Sequence, residues 1–560
     1  MVVFAGALMA ATWGTWGRMQ ADVGYDLEAA ARTAHGALPY LDYDYAYGPL
    51  APTLLGGLFR IFGADLRVAM ALGAVLCAAI VAGTYLLART VVPPPAPALA
   101  AALVAAAGIG SGGGSAIFNW ILPHSYAAVL ATTAGLVALL ALTRSVSERG
   151  RGAAWVAGAA IAVVILARPE SALPLIVVAA GSVFLAPRRG ARALGLMAPP
   201  LAAVLLVYGG FAAAVGAHDL VVRNLYPIDM LAAGGRHVVA SGAPLTPWSF
   251  AELALYGAVY AAITIAVAGA GVLVARGGRR RDAVGVAVVA AATLVVLAAA
   301  ARGPNTTAHD LLDLAFRGLP AVAIALLAVD LRRVLRGDAR ARSDIVLSAF
   351  VAVAALRTYA LFLPGSQSLY VLPAAAVLAV RLHVREVARW SGARTAGVVW
   401  LALVVLLVAS LSVKDAHRET GTVRAAHGTF HAAPADAVAL QAAVDAIERS
   451  TRPGDPILVG PQLDALTVLT GRTPALRQAD LLPGTLTADG GEAAAIARID
   501  RLGVRIAVID RQPLSDYGTG SFGTSYDRRL GAAIARRFQL MRRITGANGL
   551  EIEIWQRRAT

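Results

Sequence analysis

Residues 22–49 read DVGYDLEAAARTAHGALPYLDYDYAYGP and stand between an apolar run near 2–17 and another near 66–88. Asp22, Asp26, Glu28, Asp42 and Asp44, with Tyr40, Tyr43, Tyr45 and Tyr47, thus interrupt segments made mostly of Ala, Val and Leu. Ionised side chains are expensive at membrane depth. The stretch therefore reads as a loop at a membrane surface, and the runs on either side of it read as spans.

Composition supports that frame. The chain has 560 residues, 58% of them hydrophobic, and a mean hydropathy of +0.66. Its apolar runs repeatedly approach or exceed the ~20 residues that cross a bilayer. The net charge of +15 is no nucleic-acid signal, because the arginines sit in short connections between apolar runs and Lys414 is the sole lysine. Cys77 is the single cysteine, which excludes a disulfide framework or thiolate cluster within the chain. The opening MVVFAGALMAATWGTWGRMQA has no basic region before its apolar part. It is expected to be a retained first span of roughly 16 residues, or ~24 Å.

About thirteen spans are expected, near 2–17, 66–88, 96–110, 122–143, 152–167, 170–186, 193–216, 251–275, 283–301, 311–331, 343–362, 368–382 and 395–413. One set of connections is short and basic: 144–152, 187–192, 276–281, 332–342 and 381–394. The other is longer, aromatic and mixed in charge: 18–65, 218–250, 302–310 and the tail from 414. Arg and Lys favour the cytoplasmic side. The expected topology thus has a cytoplasmic N-terminus, a multi-pass region 1–413 in the plasma membrane and an extracytoplasmic tail. In the tail, strand-like TRPGDPILVG, VRIAVID and LEIEIWQ alternate with helical AAAIARIDRLG and YDRRLGAAIARRF. That alternation predicts an α/β domain over 414–560 with a mainly parallel sheet.

The outward connections hold the polar chemistry. GSGGGSAIFNWILPHSY (110–126) carries Asn119, His124 and Tyr126, and ARPES carries Arg168 and Glu170 between two spans. The 218–250 loop offers Arg223, Asn224, Tyr226, Arg236 and His237. RGPNTTAHD offers Arg302, His309 and Asp310, while Arg317 and Arg357 sit near the outer ends of their spans. Outward arginines beside a carboxylate-rich loop suit an anionic lipid headgroup, since guanidinium grips phosphate oxygens bidentately. A carboxylate beside them can take a proton from an attacking hydroxyl. Plainer roles fit the same residues. Asp22 can cap a helix, with Asp26 and Glu28 at the positive end of its dipole. The tyrosines can be interfacial anchors, Arg168 can snorkel to headgroups, and Arg317 and Arg357 can pair with Asp310 or Asp313. His124, His237 and His309 lack metal-ligand spacing, and the glycines at 112–114 lack the GK[ST] of a phosphate-binding loop.

Together, Asp22-Val-Gly-Tyr-Asp26 and HGALPYLDYDYAYGPLAPTLLGGLFRIFG resemble the first outer loop of GT-C membrane glycosyltransferases. The similarity is to the protein O-mannosyltransferase and lipid A aminoarabinose transferase superfamily, glycosyltransferase family 39-type. FNWILPHSYA and ARPESALP resemble its later landmarks. The resemblance implies a GT-C fold and transfer of a sugar (mannosyl- or arabinosyl-type, hexosyl or pentosyl) from a polyprenyl-phosphate-sugar. The acceptor would be a cell-envelope or cell-wall glycan, lipid or protein, with inversion at the anomeric carbon. It implies Asp22 as general base, alone or with Asp26, because Val23 stands where a second acid is common. Arg168, Arg302 and Arg357, then Arg317, become candidates for the donor phosphate. Asp42, Asp44, Tyr45, Tyr47, His124, Tyr126, Glu170 and His309 become candidates for substrate contact. No resident cofactor is implied, and a divalent metal and the oligomeric state stay open. A polytopic transporter or lipid-linked-sugar flippase is the rival reading; it would favour internal repeats and mid-bilayer charges.

Overall fold

The computed structural model describes the chain except for residues 22, 111–118, 147–150, 186–188, 225–246, 277–306, 361–363, 389–393, 488–489, 516–517, 548 and 559–560. At several further helical positions, 309 and 356–360 among them, it describes the backbone alone. Expected run 283–301, with Asp22, Tyr226, Arg236, His237 and Arg302, lies outside the described residues.

Helices follow the apolar runs. They are α1 Val2–Ala11, α2 Val23–Ala34, α3 Leu50–Phe62, α4 Leu66–Val91, α5 Pro97–Gly110, α6 Tyr126–Ser145, α7 Arg151–Ala167 and α8 Ala172–Leu185. After them come α9 Arg189–Ala203, α10 Gly209–Val215, α11 Ala217–Asn224, α12 Pro247–Arg276, α13 Ala308–Leu335, α14 Ala341–Ala360, α15 Pro364–Arg381 and α16 Arg394–Ala416. Among the described residues five helical stretches are long and apolar enough to cross a membrane: Leu66–Val91, Tyr126–Ser145, Gly190–Val215, Asp310–Leu335 and Arg394–Ala416. Their surroundings differ. The apolar window of Tyr126–Ser145 is 83% buried, whereas that of Gly190–Val215 is 0% buried. Leu194, Met197, Leu201, Leu205 and Leu206 stand exposed on the latter, a continuous apolar face suited to lipid. The chain is a multi-pass membrane protein with α6 near the centre of its bundle.

Described members of the two sets of connections lie at opposite ends. Helix α4 starts where Leu66 N donates to His427 O of the tail (2.9 Å) and ends where Val91 O accepts from Arg385 (2.9 Å). Helix α6 starts against Asp26 of the first loop, and near its other end Thr143 O accepts from Ser343 Oγ (3.0 Å). First loop and tail share one end; the basic connections 332–342 and 381–388 share the other.

Two expected boundaries shift. The first helix ends at Ala11, short of residue 17. Trp16 Nε1 donates to Ile109 O at 3.0 Å, and Gly14 and Gly17 adopt φ +78°, so the chain turns there under the tail. A Cβ on Gly14 would crowd the His431 ring, 2.6 Å away. The run expected from 122 becomes helical at Tyr126, because Asn119 Oδ1 holds Ile121 N (2.9 Å) and Leu122 N (2.8 Å) in a turn and Ser125 caps the helix.

Apolar composition hid a charged network at the basic end. Arg381 and Asp330 are both fully buried and pair bidentately. Ser348 Oγ donates to Asp330 (2.9 Å), Glu386 accepts from Arg381 (3.3 Å), and Asp344 takes Arg333 (3.0 Å) and Arg385. Removing one partner of such a pair strands the other charge. Arg381→Met is expected to cost roughly 3–5 kcal/mol, seen as a lower Tm, and Asp330→Leu in the same chain should restore much of it.

The tail forms a hairpin of β1 Gly421–Ala425 and β2 Gly428–Ala432, then helix α17 Pro434–Ser450. A second sheet uses β3 Pro456–Gly460, β4 Thr473–Pro474, β5 Ile506–Asp510, β6 Phe538–Thr545 and β7 Glu551–Arg557 in the order β4-β3-β5-β7-β6. Helices α18 Ala465–Thr470, α19 Gly491–Arg501 and α20 Arg528–Arg537 connect its strands. The expectation of a mainly parallel sheet is corrected: β3 pairs parallel with β4 and β5, but β7 pairs antiparallel with β5 and β6. Gly546 N bonds Leu550 O (2.8 Å) in the turn between β6 and β7, and so short a connection permits only an antiparallel pair.

Candidate active site

The first loop is a built structure. Helix α2 packs on α3 and, through Gly24, on the start of α18; a Cβ at Gly24 would run into the Ala465 backbone. Beyond α2 the chain folds its tyrosines together. Tyr25 and Tyr45 stack with centroids 5.3 Å apart and planes 9° apart, and Tyr47 meets both edge-on at 5.9 and 5.7 Å. Their hydroxyls serve the loop itself. Tyr40 donates to Tyr47 O (2.5 Å), Tyr25 Oη accepts from Ala46 N (2.7 Å), and Tyr43 bonds Thr33 (2.7 Å). Helix α11 locks the same strand: Asn224 Nδ2 reaches Tyr45 O (3.1 Å) and Tyr47 O (3.0 Å), and Arg223 reaches Tyr40 O and Leu41 O (both 3.1 Å).

Asp26 is the bolt between this loop and the bundle. Its Oδ1 accepts from Tyr45 Oη (2.5 Å), and its Oδ2 from the amides of Tyr126 (2.5 Å) and Ala127 (3.3 Å), the first residues of α6. A carboxylate suits the positive end of a helix dipole. Burial nevertheless pushes the Asp26 carboxyl above its usual range, opposed by those hydrogen bonds and by the charge of Arg168. Both oxygens are engaged by protein donors.

Arg168, at the end of α7, is drawn to the loop because Gly48 N bonds Ala167 O (3.0 Å). Its guanidinium lies between two rings, 4.4 Å from the Tyr47 centroid and 4.8 Å from that of Tyr370 on α15. Such cation–π contact holds a guanidinium plane while leaving its edges for acceptors. Nε is paired with Glu170, whereas the buried Nη1 has no hydrogen-bond partner among the described residues, and neither has the hydroxyl of Ser171. Tyr370 and Ser171 also line a narrow, mainly apolar groove with Leu136, Leu139, Leu175 and Phe350. An unsatisfied buried guanidinium edge thus belongs to a side chain that packs on Tyr370, one of the residues lining that groove. Buried donors normally find an acceptor, and an anionic oxygen would complete this one.

On the tail side, Asp44 is buried and accepts from Gln478 Nε2 (2.9 Å), with Arg477 Nε 3.8 Å away. Asp464 and Asp480 form an acidic pair beside it. Burial, then the charges of Asp480 and Glu28, push Asp464 well above the carboxylate range, with Arg32 opposing. The folded chain therefore keeps a proton that the unfolded chain has lost. Stability from this site is highest in acid and falls as pH rises from about 4 towards the raised folded value. Asp464→Asn, which fixes the uncharged form, should raise Tm at neutral pH, and the gap from wild type should close on acidification.

The other candidates are dispersed. Asp42 is exposed and its Oδ2 holds Leu38 N (2.8 Å) in a turn. Tyr126 is buried, with its amide on Asp26, and His124 is half-buried just before the Ser125 cap. Glu170 is half-exposed on Arg168, and Arg317 lies 5.8 Å from the Tyr256 ring. Asp310 belongs to a capping box with Thr307 at the start of α13. The side chains of His309 and Arg357 lie outside the described residues, as do Asp22 and Arg302. Among the described residues no three His, Cys, Asp or Glu side chains gather into a set able to hold a metal ion. Sequence reasoning missed Tyr370, Ser171, Gln478 and the Asp464–Asp480 pair, none of which has a local signature.

No family model matches the chain, and no curated protein matches it. Among solved structures it is similar to the archaeal oligosaccharyltransferase AglB from Archaeoglobus fulgidus in complex with an inhibitory peptide and a dolichol-phosphate. The identity there is 13% and the TM-score 0.48, over 99% of this chain and 74% of that one. It is similar also to ArnT from Cupriavidus metallidurans bound to undecaprenyl phosphate, at 13% identity and TM-score 0.43 over 100% and 98% of the two chains. The apo state of that ArnT gives 15%, 0.44, 99% and 97%. AglB and ArnT are both GT-C superfamily members.

Proposed function

We propose that the protein is an inverting membrane glycosyltransferase. It moves a sugar from a polyprenyl-phosphate-sugar to a hydroxyl of a cell-envelope acceptor on the outer face, with first loop and tail extracytoplasmic. The observation that carries this reading is Arg168, buried between Tyr47 and Tyr370, with an Nη1 that has no hydrogen-bond partner among the described residues, packed on a ring that also lines an apolar groove. A lipid phosphate fits both halves: its oxygens complete the guanidinium, and its prenyl chain lies along the groove and out between helices.

The chemistry follows from that placement. The acceptor oxygen forms a bond to the anomeric carbon while the bond from that carbon to the phosphate oxygen breaks, and its electron pair leaves with the polyprenyl phosphate. Arg168 meets the growing negative charge in a water-poor site, where a fixed cation is most effective. The proton of the attacking hydroxyl goes to Asp22, at the N-terminal edge of α2. Asp26 acts as a positioning residue: its hydrogen bonds tie the first loop to the start of α6.

Full-length protein in lipid discs, offered labelled polyprenyl-phosphate sugars and an envelope acceptor fraction, tests the reading. Expected is sugar transfer matched by release of free polyprenyl phosphate. A lipid-linked sugar that crosses vesicle leaflets intact, with no cleavage from its phosphate, would overturn it in favour of a flippase.

A further inference from the structure

The seam between first loop and tail holds a second set of arginines that the transfer step does not use. Helix α19 carries Glu492, Arg498, Asp500 and Arg501. Its acids are occupied elsewhere: Glu492 accepts from Leu530 N (2.7 Å) at the start of α20, and Asp500 binds Arg537 and Arg557, both at 2.9 Å. Arg498 and Arg501 are exposed, and neither meets a carboxylate among the described residues.

Their neighbours add charge. Arg498 Nε donates to Ala475 O (2.7 Å), and the next carbonyl, Leu476 O, accepts from Arg32 Nη2 (2.8 Å). The following residue is Arg477, anchored on Leu41 O. Three guanidiniums from three elements therefore converge on residues 475–477, with Arg501 about one helical turn from Arg498. Glu28 offsets Arg32 (2.6 Å) and Asp44 offsets Arg477 (3.8 Å). Among the described residues two positive charges, those of Arg498 and Arg501, stay uncompensated, both on exposed side chains. Partial burial and then the charges of Arg32, Arg477 and Arg501 hold Arg498 below the ordinary arginine range. An anion would relieve that repulsion, and a phosphate monoester carries roughly two negative charges near neutral pH.

We propose that this seam is the acceptor subsite and that the acceptor carries a phosphate group, gripped by Arg498 and Arg501 while its hydroxyl faces the first loop. The proposal rests on the transferase reading, but its test does not. Full-length protein in discs of zwitterionic lipid is first saturated with polyprenyl phosphate, to occupy Arg168, and then titrated with inorganic pyrophosphate by calorimetry. Wild type is expected to bind. Arg498→Gln/Arg501→Gln should weaken binding at least about tenfold, the scale of losing charge-assisted bidentate contacts. Arg528→Gln/Arg529→Gln, on the exposed face of α20, should leave it unchanged. Absence of binding to wild type, or equal binding by both double variants, overturns the subsite. With a phosphate-bearing acceptor, the Arg498/Arg501 variant should raise acceptor KM and spare kcat. Failure of the transferase reading would show separately, as pyrophosphate binding without transfer from any donor.

Discussion

Asp22→Asn is expected to lower kcat for sugar transfer by about 10²–10⁴-fold, the range for loss of a positioned general base, with donor affinity little changed. The amide keeps the shape of the carboxylate, but it cannot take a proton. Single-turnover release of polyprenyl phosphate measures this directly. Asp26→Asn supplies the contrast. Its oxygens already receive Tyr45 Oη and the amides of Tyr126 and Ala127, so the new NH2 group must face at least one donor. A lower Tm should therefore accompany any loss of rate. If Asp26→Asn instead abolished turnover at unchanged Tm, while Asp22→Asn stayed active, the base would be Asp26.

Arg168→Ala should cost about 10²–10³-fold in kcat, comparable to removal of a preorganised transition-state donor, and should weaken binding of polyprenyl phosphate as well. Arg168→Lys is expected to recover little of either. An ammonium is a point charge without a planar face, so it cannot lie between Tyr47 and Tyr370, pair with Glu170 and present a further N–H together. Full activity in Arg168→Ala would remove the phosphate role and the observation on which the functional reading stands.

Much of the architecture was legible because hydrocarbon solvent imposes a simple rule on sequence. Apolar runs located the described helices, and the basic connections 332–342 and 381–388 lie at the end of the bundle opposite the first loop and tail. The carboxylate-rich loop pointed to the end where Arg168 and the tail meet it. What escaped notice was pairing over distance. Arg168 was visible, but its second ring partner, Tyr370, lies in a different apolar run, and an isolated tyrosine there has no signature. Asp330 and Arg381 each look like an oddity in an apolar or basic run until folding places them in contact. Strand β6 was missed because it is the edge of its sheet: residues 539–543 are all exposed, so no alternation marks it. The first helix was read too long because nothing local announces that Trp16 is held by a carbonyl 93 residues away.

The meshing of α2 with the tail bears on how the chain can change over generations. Gly24 leaves room for Ala465, Glu28 accepts from Thr467 Oγ1 (3.0 Å), and Arg32 holds Leu476. The carboxy-terminal domain is therefore no detachable cassette. A chimera that exchanged it for a foreign counterpart would have to import a matching α2 with it, and α2 also anchors the bundle through Asp26. Specificity for new acceptors is accordingly expected to arise by small substitutions along the seam, inherited as co-varying pairs between the first loop and the tail, and not by wholesale shuffling of domains.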